Sequence, residues 1–186
     1  YEAGADAVII QDLGLCRAAR DLLPDLTLHA STQMTVHNSS GAAALKDLGI
    51  KRVVLARELS LDEIREIKEK SNMEVEAFIH GALCVSYSGQ CLMSSMIGGR
   101  SGNRGRCAQP CRMEYVMVND QDVPVVDPDQ VGRHLLSPRD LNMIEHIPLL
   151  AEAGIDSLKI EGRMKRPEYV AIVTRIYREA LDRYRD

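Results

Sequence analysis

The chain has 186 residues, of which 45% are hydrophobic and 27% are charged, proportions typical of a globular protein. Its net charge of −4 argues against a surface coated with basic residues for nucleic acid. No apolar run approaches the roughly 18 residues that cross a bilayer. With no Trp and one Phe, the core must consist mainly of aliphatic side chains.

Short hydrophobic runs alternate with helical patterns through the first part of the chain. The predicted strands are Ala7–Ile10, Leu26–His29, Arg52–Ala56 and Val75–Ile79, and the predicted helices are Leu13–Leu23, Asn38–Leu48 and Ser60–Lys70. Ser60 and Glu63 have the spacing of a capping box. This alternation implies right-handed parallel crossovers. No Gly-x-Gly-x-x-Gly turn follows a strand, which argues against a dinucleotide-binding fold.

The second half of the chain is less regular. Its predicted elements are a β-hairpin over Glu114–Val126 with its turn at Asn119–Asp122, a helix over Asp140–Ala153 broken at Pro148, a strand at Ser157–Ile160 and a helix from Pro167 to the end. Five parallel strands are too few for an eight-stranded barrel of about 250 residues. We therefore predict an α/β fold, a partial TIM-like (β/α) barrel that lacks its amino-terminal strands.

The predicted fold divides into three segments of a single domain. These are barrel units over residues 1–83, a cysteine-rich loop with its hairpin over residues 84–133, and the final strand and helix over residues 134–186. An incomplete barrel has an open strand edge, which could pair with another chain. An oligomer is thus compatible with the sequence.

Charged and imidazole side chains follow the carboxyl ends of the predicted strands, where (β/α) barrels form their active sites. A functional face is therefore predicted at the carboxyl ends of the strands. Because the cysteine-rich segment directly follows His80, we expect this segment to lie on the same face. Arg57–Glu58 and Glu161–Arg163 could alternatively be ion pairs at the barrel rim. The residues of this predicted face are Asp12, His29, Gln33, Arg57, Glu58, His80, Glu161 and Arg163.

Four of the five cysteines lie close together, with the spacing Cys-x6-Cys-x15-Cys-x3-Cys. Structural zinc normally uses closer Cys-x2-Cys pairs, and two disulfides need an oxidising compartment. Four unrelated buried thiols would not explain the surrounding glycines, whereas an iron–sulfur cluster needs only that its thiolates converge on a loop that wraps it. Spacing alone leaves all four explanations open. The four residues are Cys84, Cys91, Cys107 and Cys111.

The fifth cysteine, Cys16, matches no ligand spacing and is predicted to be a buried small hydrophobic residue. An odd number of cysteines argues against a secreted disulfide scaffold. A reducing, cytoplasmic setting is therefore expected.

Basic residues are concentrated next to the cysteines. Between Gly98 and Met113 there are four arginines and no acidic residue. The segment is either a solvated loop or a contact for phosphate or another anion. The arginines are Arg100, Arg104, Arg106 and Arg112.

Several blocks of sequence resemble peptidase family U32, the so-called collagenase-like proteases. The longest runs from Glu76 through the His80-Gly-Ala-Leu-Cys84 stretch and Val-Ser-Tyr-Ser-Gly-Gln-Cys91 to Ser94. The others are His29-Ala-Ser-Thr-Gln33, Arg52 to Ser60, Gly105-Arg-Cys-Ala-Gln-Pro-Cys111 and Leu158-Lys-Ile-Glu-Gly-Arg163. The resemblance runs nearly end to end, but the chain has no Gly-x-Ser-x-Gly elbow and no His-Glu-x-x-His to support a hydrolase.

The resemblance implies a hydroxylation protein with a [4Fe–4S] cluster on Cys84, Cys91, Cys107 and Cys111. The implied substrates are RNA bases, a tRNA uridine or a 23S rRNA cytidine, and the arginine-rich segment suits RNA better than a ubiquinone precursor, the third implied substrate. The sequence leaves two further functions open, which are a peptidase, as the family name states, and a zinc-stapled scaffold.

Individual roles are hypotheses based on the chemistry of these residues. Arg57, Arg163 and Lys159 would bind anions, either phosphate or a small carboxylate co-substrate such as prephenate. His80 and Glu161 would transfer protons, with Arg57 completing the catalytic group. The RNA backbone would be bound by Arg100, Arg104, Arg106 and Arg112.

Overall fold

The computed structural model describes residues 2–162 and 165–185, which form two compact units. The first unit contains the chain up to Ala82 and again from Asp140 onward. The second unit is Leu83–Arg139. The sequence analysis placed the corresponding boundaries after residues 83 and 133, so the observed second unit extends further along the chain than the predicted segment.

The first unit is built on a mainly parallel sheet. Its strands are β1 Ala7–Ile10, β2 Thr27–Ala30, β3 Arg52–Val54, β4 Glu74–Gly81, β5 Leu141–Asn142 and β6 Ser157–Ile160. Strands β1, β2, β3, β4 and β6 pair in that order and are parallel throughout. The two-residue strand β5 is antiparallel to the end of β4. The five predicted parallel strands are confirmed, and β5 was not predicted.

The helices follow the strands as the alternating pattern predicts. They are α1 Leu13–Leu22, α2 Ser39–Asp47, α3 Leu61–Ser71, α4 Met93–Gly98, α5 Pro128–Val131, α6 Ile147–Glu152 and α7 Pro167–Arg185. The capping box of α3 is confirmed, because Ser60 and Glu63 each accept the other's backbone N–H. Among the described residues, no helix is long and apolar enough to cross a membrane.

The two faces of the sheet differ in chemistry. Alternate strand residues, such as Leu28, Val53 and Val75, are fully buried in a core cluster shared with α1, α2 and α3. Ile79 begins a second cluster with α6 and α7. All described helices of this unit thus contribute to cores on one face, and the side chains between these positions point to the other face. We call that other row the polar face, although it includes the fully buried Val54: Ala7, Ile9, Thr27, His29, Arg52, Val54, Glu74, Glu76, Phe78, Ser157 and Lys159.

The predicted hairpin over Glu114–Val126 forms only in its central part. Val118 and Pro124 form an antiparallel bridge. It is flanked by hydrogen bonds from Asn119 N–H to the carbonyl of Val123 at 2.9 Å and from Val125 N–H to the carbonyl of Met117 at 3.0 Å. The turn itself forms, since the side chain of Asn119 accepts the N–H groups of Gln121 and Val123.

The predicted helix over Asp140–Ala153 is also corrected. Its first residues form β5 and a 3-10 turn at Ile144–His146, and only Ile147–Glu152 is α-helical. Pro148 lies in the first turn of α6 rather than at a break. This position suits proline, whose missing N–H would be unsatisfied there in any case.

The second unit has little regular structure. Besides α4 and α5 it contains 3-10 turns at Gly102–Arg104 and Pro110–Arg112. Every residue of Leu83–Arg139 is described, and none of its apolar side chains is buried. Its two buried residues are the serines Ser88 and Ser94. Apolar packing therefore cannot be what holds this unit in shape.

Candidate functional site

Glu76 is the centre of an ion network on the polar face of the sheet. Its carboxylate accepts hydrogen bonds from Ser157 Oγ at 2.8 Å and Lys159 Nζ at 3.0 Å. Arg52 approaches the same carboxylate at 3.7 Å. Burial opposes ionisation of Glu76, but the bonds and charges of Lys159, Ser157 and Arg52 outweigh it and hold the pKa below its usual value. Glu76 is therefore a charged acceptor near neutral pH.

The network continues across the sheet toward β2. Arg52 donates two bonds to Glu74 Oε2, at 3.0 Å from Nε and 2.9 Å from its terminal nitrogen. His29 is the register partner of Arg52 on β2. Burial lowers the pKa of His29, and the positive charge of Arg52 lowers it further. His29 is thus held in its neutral form.

The structure places Lys159, predicted to bind an anion, inside this network. Its ammonium group pairs with Glu76 and lies 5.5 Å from the centre of the Phe78 ring. The positive charge is already neutralised by a carboxylate. This arrangement favours a structural role for Lys159 over binding of a substrate anion.

His80, the predicted proton-transfer residue, lies next to α7. A register irregularity between Phe78 and His80 interrupts the strand alternation. The ring contacts Tyr177 edge-on at 5.4 Å between centroids, and Nδ1 lies 3.2 Å from the Tyr177 hydroxyl oxygen. His80 therefore does not belong to the Glu76 network.

The hydroxyl of Tyr177 indicates which His80 nitrogen carries the proton. That oxygen accepts the N–H of Met143 at 3.0 Å, and its single proton has two acceptors in reach, Ile79 O and Asn142 Oδ1, each at 3.1 Å. We therefore assign the remaining proton to Nδ1 of His80, which donates to Tyr177. Nε2 is then left with a lone pair that can accept a proton.

Glu161 directly follows β6, and its N–H donates to the carbonyl of His80 at 2.8 Å. The close approach depends on Gly81, which has φ +102°, and a Cβ there would lie 2.4 Å from the Glu161 carbonyl oxygen. The backbones of the two predicted proton-transfer residues are thus brought together. Arg57 lies after β3 and is half-buried, and Arg163 lies outside the described residues.

The four clustered cysteines all lie in the second unit, half-buried and without disulfides. The pKa of the Cys111 thiol is raised, first by burial and then by the like charge of Cys84, with further contributions from Cys107 and Cys91. Arg112 opposes this rise. Cys111 is therefore within electrostatic reach of the other three sulfurs.

Three long-range hydrogen bonds hold the cysteine-bearing segments together. Arg112 donates to the carbonyl of Leu83 at 2.9 Å, which connects the neighbours of Cys111 and Cys84. Asn103 donates to the carbonyl of Gly89 at 2.9 Å. The N–H of Ala108 donates to the buried Ser94 hydroxyl at 2.9 Å. These bonds connect the loops on either side of each cysteine.

Cys107 also receives a local hydrogen bond. The N–H of Gln109 lies 3.3 Å from Cys107 Sγ, and Gln109 has the left-handed φ of +58°. The left-handed backbone conformation of Gln109 thus accompanies an N–H group that is directed at the Cys107 sulfur.

The four arginines of this segment have different environments. Arg100, Arg104 and Arg106 are exposed. Arg112 is half-buried and also donates to Ser137 Oγ at 2.7 Å and to the carbonyl of Pro138. Because its guanidinium is committed to these acceptors, we revise the sequence-based assignment of Arg112 from RNA contact to positioning of the loop.

The sequence analysis missed Glu76 and Arg52 as interacting residues. A signal was present, because Glu74 and Glu76 alternate with Val75 and Ala77 along the predicted strand. Period-two alternation predicts one polar face. The strand was predicted from its hydrophobic residues, without a polar face. Cys16, in contrast, is buried in the core as predicted.

Comparison with protein families and curated proteins gives consistent results. The sequence model of peptidase family U32 matches residues 1–186. A tRNA hydroxylation protein of Bacillus subtilis is 43% identical over 185 residues, covering 98% of this chain and 44% of that protein. An uncharacterized protease of Methanocaldococcus jannaschii is 48% identical over 185 residues, covering 97% and 44%.

The 23S rRNA 5-hydroxycytidine synthase of Escherichia coli is 44% identical over 182 residues, covering 98% of this chain and 27% of that protein. The chain therefore spans less than half the length of these relatives. Thiamine phosphate pyrophosphorylase from Pyrococcus furiosus has a similar structure, with a TM-score of 0.50 and 13% identity over 96% of this chain and 60% of that one. This similarity supports the α/β fold with a TIM-barrel-like parallel sheet.

Proposed function

The chain belongs to peptidase family U32, and from this membership we propose that it is the cluster-binding part of an enzyme that hydroxylates RNA bases. A [4Fe–4S] cluster would be held by Cys84, Cys91, Cys107 and Cys111. We further propose that the sheet is part of a closed (β/α) barrel and that the cysteine unit is inserted after β4. Four free thiols suit a reducing, cytoplasmic compartment.

One observation carries the cluster proposal. The second unit brings four thiols within electrostatic reach, yet it buries no apolar side chain. A segment of this size without a hydrophobic core needs another source of stability, and a bound metal group is a common one.

The proposal is a cluster of several irons rather than a single metal ion, because four free cysteines lie in one unit. Among the described side chains, no group of three or more Cys, His, Asp or Glu is arranged to hold a metal ion. In a [4Fe–4S] cluster each thiolate binds a different iron, so the sulfurs stand farther apart than the ligands of one zinc. The Gln109 N–H directed at Cys107 fits as well, since hydrogen bonds to sulfur tune such clusters.

The names of the relatives support RNA as the substrate. The Bacillus subtilis protein is named for tRNA hydroxylation and the Escherichia coli protein for a hydroxycytidine in 23S rRNA. In this chain, exposed Arg100, Arg104 and Arg106 lie in the same unit as the four thiols. Their guanidinium groups would bind backbone phosphates and position the RNA. A quinone precursor offers no such phosphates.

The remaining residues would act on protons and on a small co-substrate. When bound, the cluster would supply electron transfer or a Lewis-acidic site. His80 Nε2, with Nδ1–H fixed by Tyr177, would accept a proton, and Glu161 would share this task. Arg57 would bind the carboxylate of a co-substrate such as prephenate.

Peptide hydrolysis, as the name of the archaeal relative suggests, has less support. A cysteine protease needs an imidazole beside its thiol. Its single nucleophile would leave three of the four clustered thiols unexplained.

Two measurements test the proposal. Anaerobically purified protein should contain iron and acid-labile sulfide, and RNA from cells that lack the gene should lose hydroxylated uridine or cytidine in nucleoside mass spectrometry. Colourless, iron-free protein that still supports hydroxylation would reject the cluster, and zinc in place of iron would favour a scaffold. Unchanged nucleosides would reject the function.

Cysteine variants provide a matched control. Cys84→Ser should lose iron, while Cys16→Ala should keep it, because Cys16 lies in the hydrophobic core of the other unit. Equal iron in both variants would contradict the assignment of the ligands. Peptide cleavage that is lost in Cys84→Ser but survives chelation and air would instead support a protease.

A further inference from the structure

Tyr87 is an exposed aromatic residue between two of the clustered cysteines. Its side chain is 57% exposed, and it lies three residues after Cys84 and four before Cys91. We propose that the Tyr87 ring stacks on an unpaired RNA base, with Arg104 on the adjacent phosphate. The proposal rests on the RNA-hydroxylating function above and adds a specific nucleotide site to it.

The turn that carries Tyr87 is held in one conformation. The carbonyl of Tyr87 accepts the N–H of Gln90 at 3.1 Å, and Gly89 supplies the left-handed φ of +74° that this turn requires. The next residue, Ser88, is fully buried. A fixed backbone restricts where the ring can lie, so less conformational entropy is lost when a base stacks on it than on a free segment.

Arg104 is brought to the same turn by its neighbour. Asn103 donates to the carbonyl of Gly89, which ties the arginine-bearing loop to the Tyr87 turn. That loop is itself closed, because Ser101 O accepts the N–H groups of Arg104 and Arg106. Exposed Arg104 is therefore held next to the turn rather than on a free segment.

The charge of the surroundings suits a nucleotide. From Leu83 to Met113 the chain contains four arginines and no acidic residue. Single-stranded RNA is recognised by stacking of unstacked bases on aromatic rings together with cationic contacts to the backbone. An exposed tyrosine within a segment that contains four arginines and no acidic residue provides both. A base held there would also lie beside the cysteine-bearing loops.

The test is RNA binding by the iron-loaded protein, measured by fluorescence anisotropy with a labelled RNA hairpin that has an unpaired loop. Tyr87→Ala should weaken binding about 5- to 150-fold, the range that removal of one stacking aromatic produces. Tyr87→Phe should keep the affinity, since stacking needs the ring face and not the hydroxyl. Tyr184→Ala is the matched control, because Tyr184 is 43% exposed on α7 of the other unit.

The salt dependence of RNA affinity distinguishes the role of Arg104 from that of Tyr87. Arg104→Gln should reduce the slope of log affinity against log salt by about 0.7, the value for one phosphate of a single strand. Tyr87→Ala should leave the slope unchanged, because stacking releases no counterions. Three results would each overturn the inference. The first is equal RNA affinity of Tyr87→Ala and wild type, and the second is an equal loss of affinity in Tyr87→Phe and Tyr87→Ala. The third is wild-type protein that binds no RNA.

Failure of this inference differs from failure of the proposed function. Unchanged RNA binding by Tyr87→Ala with a full complement of iron overturns the stacking site alone. An iron-free wild-type protein or unchanged nucleosides in cells that lack the gene would reject the function itself.

Discussion

Arg112 shows how one side chain can organise a loop without being a ligand. Its guanidinium donates to Leu83 O, Ser137 Oγ and Pro138 O, three acceptors from different parts of the second unit. A planar group with five N–H donors can satisfy such acceptors together, whereas a lysine presents one ammonium group. The bond to Leu83 connects the residues next to Cys84 and Cys111.

We therefore expect Arg112→Gln to lower the iron and sulfide bound per chain, and Arg112→Lys to restore them only in part. The physical reason is that the first and last cysteines lose the connection between their neighbours. Iron and sulfide analysis after anaerobic reconstitution measures the effect. Arg106→Gln is the control, because Arg106 is exposed, and equal iron content in all variants would contradict the positioning role.

At the scale of elements, β3, β4 and β6 are joined by charge as well as by backbone pairing. Arg52 on β3, Glu76 on β4 and Lys159 on β6 form one network across three parallel strands. Breaking a hydrogen bond to a charged group inside such a network costs about 1.5–3 kcal/mol. The network therefore contributes to the stability of the sheet itself.

This network predicts how stability depends on pH. The folded pKa of Glu76 lies below its usual value of 4.5, so its contribution is present above about that pH and is lost as the pH falls through the folded value. The folded pKa of His29 lies below 6.5, so stability also declines as the pH falls from there, because the unfolded chain binds the proton first.

Glu76→Gln should thus destabilise the protein near neutral pH by about 1–3 kcal/mol and flatten the decline below pH 4.5, while the decline that begins near 6.5 remains. Urea unfolding across this pH range measures both effects. Glu69→Gln, an exposed residue on α3, should behave like wild type. If the free energy of unfolding of Glu76→Gln fell below pH 4.5 as steeply as that of wild type, the Glu76 carboxylate would not be responsible for that decline.

Regular elements could be predicted from the sequence, whereas long-range connections could not. Short hydrophobic strands such as Ala7–Ile10, and helix starts such as the Ser60 capping box, are determined by residues close together in the sequence. Both were predicted correctly. The hairpin over Glu114–Val126 was predicted too long, because its backbone pairing is confined to residues 117–125. The Arg112–Leu83 bond joins residues 29 positions apart. No local pattern encodes that contact.

At the scale of the whole molecule, the two units differ in what stabilises them. The first unit has two hydrophobic clusters between its sheet and its helices. The second, Leu83–Arg139, buries only Ser88 and Ser94 and leaves large apolar residues such as Met96 and Ile97 exposed, at 82% and 68%. Since burial of apolar surface is the main driving force of folding, the second unit depends on something other than its own core.

We therefore expect the second unit, and not the first, to fold in response to the cluster. Hydrogen exchange followed by mass spectrometry should show fast exchange over Leu83–Arg139 in metal-free protein and marked protection after anaerobic reconstitution, because a bound metal group supplies the folding free energy of its own site. Peptides from β2, β3 and α3 should exchange equally in both states, since their core is complete without metal. Cys111→Ser should keep the second unit unprotected after reconstitution. Equal protection of this unit with and without iron would show that it is stabilised by other contacts.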